Sequence, residues 1–66
     1  MQVTLNGERV DLADSLTVAG LLDHLAHEGR GVAVAVNEEV VPRSTWGCAV
    51  LAGGDRVELL RAAQGG

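Results

Sequence analysis

The sequence predicts an α+β domain, with one main helix packed on one face of a mixed sheet of four to five strands. Three observations carry this reading. The first dozen residues alternate apolar and polar around an Asn-Gly pair, the period of strands joined by a tight turn. Residues 17–28 switch to helical spacing, and the chain then returns to alternation at 32–36 and again at 56–61. A single helix on a sheet satisfies the two-layer rule for a small domain.

In the opening stretch Met1, Val3 and Leu5 share one face, and Gln2 and Thr4 the other. Asn6-Gly7 supplies two residues that tolerate positive φ, so a hairpin pairing 1–5 with 8–12 is expected. Val18, Leu21, Leu22 and Leu25 then form one helical stripe. Thr17 is placed to cap it, and Leu16 and Leu21 are spaced as a hydrophobic staple. Gly20 lowers helicity inside this segment, and Gly29 and Gly31 stop it.

Val32, Val34 and Val36 are expected to face the helix, with Ala33 and Ala35 on the opposite side of the sheet. Asn37-Glu38-Glu39 reads as a turn, and Val40-Val41 as a short strand that Pro42 ends or confines to an edge. Residues 43–54 read as irregular. The last strand, 56–61, turns Val57 and Leu59 inward and Arg56, Glu58 and Leu60 outward. The first and last strands are expected to pair in parallel at the centre, as in a β-grasp fold. Residues 1–61 thus form the domain, and 62–66 a flexible tail ending in Gly65-Gly66.

Composition narrows the function classes. A chain of 66 residues makes one domain with a modest core. It has one cysteine, Cys48, so no internal disulfide forms, and the 47% hydrophobic content must supply the stability. No apolar run reaches the roughly 20 residues of a membrane span, and the N-terminus lacks a signal-peptide pattern. A reducing, cytoplasmic setting fits, without membrane contact. A net charge of −4 with dispersed arginines argues against nucleic acid. The chain contains no lysine, which codon bias toward Ala, Gly, Val and Arg accounts for more readily than a need to avoid self-acylation.

Several side chains could carry chemistry. His24 and His27, with Asp23, fall on the polar face of the helix, but zinc needs three or four protein ligands and no further ones are placed nearby. No metal is expected. Cys48 has no basic neighbour to activate it, and reads as a buried filler or an incidental loop residue. Trp46, the sole aromatic residue, reads as packing over the core edge, with a partner contact as the alternative.

The chain resembles the ThiS family of thiamine-pathway sulfur carriers. The likeness rests on VTLNGERVDL at 3–12, TVAGLLDHL at 17–25, VAVAVNEEVVPR at 32–43 and GDRVELLRAAQGG at 54–66. It departs from the family at Gly20 and at Trp46-Gly47-Cys48. The resemblance implies a ubiquitin-like β-grasp fold and a protein cosubstrate, not an enzyme. A ubiquitin-activating-type enzyme would adenylate the Gly66 carboxylate using ATP and magnesium, the carrier itself binding no cofactor. A persulfide donor would then supply sulfur, and the thiocarboxylate would feed thiazole synthase.

The tail suits such a role. Five residues reach about 17 Å when extended, and Gly65 and Gly66, preceded by Gln64, let the backbone thread a narrow channel. Leu60, with Arg56, Glu58, Ala33 and Ala35, forms a candidate docking surface for the activating enzyme. The free carrier is expected to be monomeric. Three alternatives stay open: a molybdopterin-synthase small subunit or other thiolation carrier, an inert ubiquitin-like interaction module, and a modifier conjugated to lysines.

Overall fold

The computed structural model describes residues 1–25 and 31–61. Five strands and one α-helix follow in the order β1 (Gln2–Leu5), β2 (Glu8–Asp11), α1 (Val18–His24), β3 (Val32–Val36), β4 (Glu39–Val41) and β5 (Arg56–Arg61). A 3-10 turn, Arg43–Thr45, lies between β4 and β5. The strands form one sheet ordered β2-β1-β5-β3-β4, so the last strand is central. β1 and β5 run parallel, and every other neighbouring pair is antiparallel.

Both two-residue turns are built from left-handed backbone. Asn6 and Gly7 lie at φ 49° and 86°, and Asn37 and Glu38 at 52° and 72°. Positive φ at both positions matches the twist of the flanking strands. Glu39 was expected in the second turn but belongs to β4, paired with Val36. The two-residue connection leaves it free to enter the ladder. At the other end of the first hairpin, β2 stops at Asp11, and Leu12 donates its N–H to the Met1 carbonyl as it drops into the core.

Thr17 caps α1 as expected, its hydroxyl accepting from the Gly20 N–H at 3.0 Å. The crossover loop satisfies two more first-turn donors: Val18 N–H bonds the Ala49 carbonyl and Ala19 N–H the Trp46 carbonyl. Helix and loop therefore hold each other. α1 ends at His24 instead of continuing through the leucine stripe. Leu25 leaves helical geometry at ψ 3°, and its N–H still bonds the Leu21 carbonyl at 3.0 Å, an α-type bond. The expected helical residues 26–28, with His27 and the stop at Gly29, lie outside the described residues.

Gly20 lies beneath the Leu16 side chain. A β-carbon built there would come within 2.8 Å of Leu16 Cδ1 and 3.3 Å of the capping Thr17 hydroxyl. Leu16 folds over the helix at this point and packs against the core.

The core lies between α1 and one sheet face: Val3, Leu12, Val18, Leu21, Leu22, Val34, Trp46, Leu51 and Val57. The expected inward valines follow this pattern, with Val34 and Val57 fully buried and Val32 and Val36 packed at the margin. The stretch 43–54 does more than link strands. It sends Trp46 and Leu51 into the core, and Leu51 N–H bonds the Leu16 carbonyl. Trp46 is 7% exposed and its indole N–H donates to the Val41 carbonyl at 2.8 Å, so packing is its role. Arg43 lies over the ring, 5.9 Å from its centroid.

Candidate functional site

β5 and its neighbour β3 position the predicted surface residues. The register of β5 against β3 sets Leu60 opposite Ala33, Leu59 opposite Val34 and Glu58 opposite Ala35. Directly opposed residues share a face, and alternate residues along a strand do too. Leu60, Glu58, Arg56, Ala33 and Ala35 therefore stand together on the face turned away from α1. Leu60 is 65% exposed, Ala33 is exposed and Ala35 is half-buried.

This surface has a member that was not anticipated. Val40 is 74% exposed and sits opposite Ala35, extending the apolar strip across β5, β3 and β4. Alternation with the inward Val41 was the available signal, but the segment was too short to show which valine faced out. The other half of the same face is polar, with Gln2 and Thr4 on β1, Arg9 and Asp11 on β2, and Arg56 paired against Thr4. An exposed contact of 3.8 Å links Arg56 to Glu38; at such exposure it contributes little.

The start of β5 is clamped by side chains. Asn37 Oδ1 accepts from Arg56 N–H at 2.9 Å, and its amide donates to Asp55 Oδ1 at 3.0 Å. Asp55 Oδ2 in turn accepts from Ala52 N–H at 2.8 Å. Further along, Leu59 N–H donates to Asn6 Oδ1 at 2.8 Å. The Asn-Gly pair signalled a turn, but nothing in its local pattern showed that Asn6 would reach a residue 53 positions away.

Gln64, Gly65 and Gly66 lie beyond Arg61 and outside the described residues. Cys48 is exposed in the crossover loop, which removes the buried-filler reading and leaves a loop residue. Asp23 and His24 are exposed on α1. Among the described residues, no three His, Cys, Asp or Glu side chains gather as a metal-holding group, and no helix is long and apolar enough to cross a membrane.

A central parallel β1–β5 pair, antiparallel partners outside it and one helix across a single face define a ubiquitin-like β-grasp domain. The model of the ThiS family matches residues 3–66. The chain belongs to the ThiS family of sulfur carriers. It is 33% identical to the sulfur carrier protein ThiS of Escherichia coli strain K12, over the full length of both. It is also 36% identical to a thiazole synthase of Paramagnetospirillum magneticum, where the 66 matched residues make up 20% of the relative. Among solved structures, the crystal structure of a thiamine biosynthesis protein (ThiS) from Geobacter metallireducens superposes with a TM-score of 0.88 at 35% identity, both chains being fully covered.

Proposed function

We propose that the chain carries sulfur on the carboxylate of Gly66 for thiamine thiazole formation. A carboxylate is a resonance-stabilised anion and a poor electrophile. An adenylating enzyme of the ubiquitin-activating type joins it to AMP with ATP and magnesium, releasing pyrophosphate. The terminal sulfur of a persulfide donor then displaces AMP. Cleavage of the remaining S–S bond by a thiol leaves the thiocarboxylate, a stored sulfur nucleophile. The carrier supplies no acid, base or metal to these steps; it supplies a recognisable body and a slim, reaching tail.

The observation that carries this reading is the family match running through Gly66. The fold supports it, since residues 62–66 follow in sequence from the central strand, which pairs with β1 at Arg56 and Val57 and with β3 from Val57 to Arg61. Thiazole synthase is the proposed recipient of the sulfur. Relatives in which a segment like this chain is a fifth of a thiazole synthase support that choice over a molybdopterin partner. The strip of Leu60, Ala33, Ala35 and Val40, flanked by Glu58 and Arg56, is the proposed docking face for the activating enzyme. The cytoplasm, where ATP is available, is the proposed setting.

Gly66→Ala tests the assignment. The variant is expected to melt like the parent and to lose ATP–pyrophosphate exchange on the activating enzyme. Exchange at the parent rate would overturn it.

A further inference from the structure

We infer that Asn6 is a positioning residue for the tail, acting through the backbone of Leu59; this rests on the carrier reading above. The parallel β1–β5 ladder has its last register pair at Leu5 and Val57, and Asn6 N–H closes it by donating to the Val57 carbonyl. Past that point β1 turns away at Asn6-Gly7, while β5 continues to Arg61. The final residues of β5 therefore keep their β3 partners but lose the β1 backbone.

Leu59 N–H points to this unprotected side. In an antiparallel ladder alternate residues direct their N–H groups away from the partner strand, and that of Leu59 goes to Asn6 Oδ1 at 2.8 Å, not to Val34 opposite. The Asn6 side chain thus substitutes for the missing strand, seven residues before Gly66. It does so from a left-handed backbone conformation, φ 49°, which aims its carboxamide across the sheet. Asn and Asp tolerate this conformation and carry a side-chain acceptor at that reach, whereas Gly tolerates it and carries none.

The tail root is then held from both sides only while this bond is made. Without it the end of β5 samples other exits from the sheet, and the fraction of carrier ready to enter the activating enzyme falls. A lower competent fraction weakens apparent binding in proportion and leaves the chemistry of the bound state unchanged.

Two variants separate the acceptor from the turn. Asn6→Gly keeps the backbone conformation and removes the oxygen, and Asn6→Asp keeps both. Each full-length variant is assayed with the activating enzyme by ATP–pyrophosphate exchange, below its melting temperature, alongside amide hydrogen exchange at Leu59. Asn6→Gly is expected to raise KM for the carrier about three- to tenfold with kcat unchanged, and to speed exchange at Leu59; Asn6→Asp is expected to keep KM within about twofold of the parent. Parent KM in Asn6→Gly despite faster Leu59 exchange would overturn the inference while leaving the carrier reading intact. An inactive parent chain would instead remove the reading on which it rests.

Discussion

Asn37 and Arg56 exchange two hydrogen bonds, Asn37 N–H donating to the Arg56 carbonyl at 2.7 Å and Asn37 Oδ1 accepting from Arg56 N–H at 2.9 Å. One is backbone and one is side chain, so the β3–β4 turn grips the start of the strand that leads to the tail. The same amide also reaches Asp55, whose carboxylate orders the loop entering β5.

Asn37→Ala removes both side-chain bonds and places alanine at φ 52°. Loss of hydrogen bonding and left-handed strain add, and the variant is expected to lose about 2 kcal/mol of stability. Urea denaturation checks this; an unchanged midpoint would show that the clamp contributes nothing.

Glu38 sits at φ 72° and is exposed, its carboxylate 3.8 Å from the Arg56 guanidinium. Glycine relieves the strain, at some cost in unfolded-chain entropy. Glu38→Gly is therefore expected to stabilise the domain by about 0.5–1 kcal/mol, seen as a raised melting temperature.

Leu60 offers a test of the docking face. It is exposed, so Leu60→Asp is expected to leave the melting temperature within about 4 °C of the parent, a shift on the order of 0.5 kcal/mol. It is also expected to weaken binding to the activating enzyme about tenfold or more, the range of a truncated interface anchor. Calorimetric titration measures that loss, and parent affinity in a folded variant would move the docking site elsewhere.

Much of the fold was legible because the residues announced their own period. The valines of β3, the Asn6-Gly7 hairpin and the Thr17 cap are local signals, and each operates as read. The helix end was not legible, because Leu25 continues the stripe while its backbone has already left helical geometry. Residues 43–54 divide: Trp46 packs as read, whereas Leu51 reaches the core from a stretch without periodicity, and only the tertiary fold gives it partners. Gly20 lowers helicity by its local propensity, and the Leu16 side chain lying over it is a contact that propensity does not show.

The outward face divides in the same way. Leu60, Ala33 and Ala35 followed from strand alternation, but Val40 joined them through a strand pairing that spacing alone does not reveal. Asn6 is the sharper case. Its role as a turn residue is written in the dipeptide, whereas its bond to Leu59 depends on a parallel pairing between the two ends of the chain.

The central claim is that sulfur resides on Gly66. Intact-mass measurement tests it most directly, after incubating the full chain with ATP, magnesium, the activating enzyme, a persulfide donor and a thiol. The expected result is a mass increase equal to exchange of one oxygen for one sulfur, mapped by fragmentation to Gly66 and absent in Gly66→Ala. An unchanged mass with active partner enzymes, or sulfur mapped to Cys48, would contradict the account.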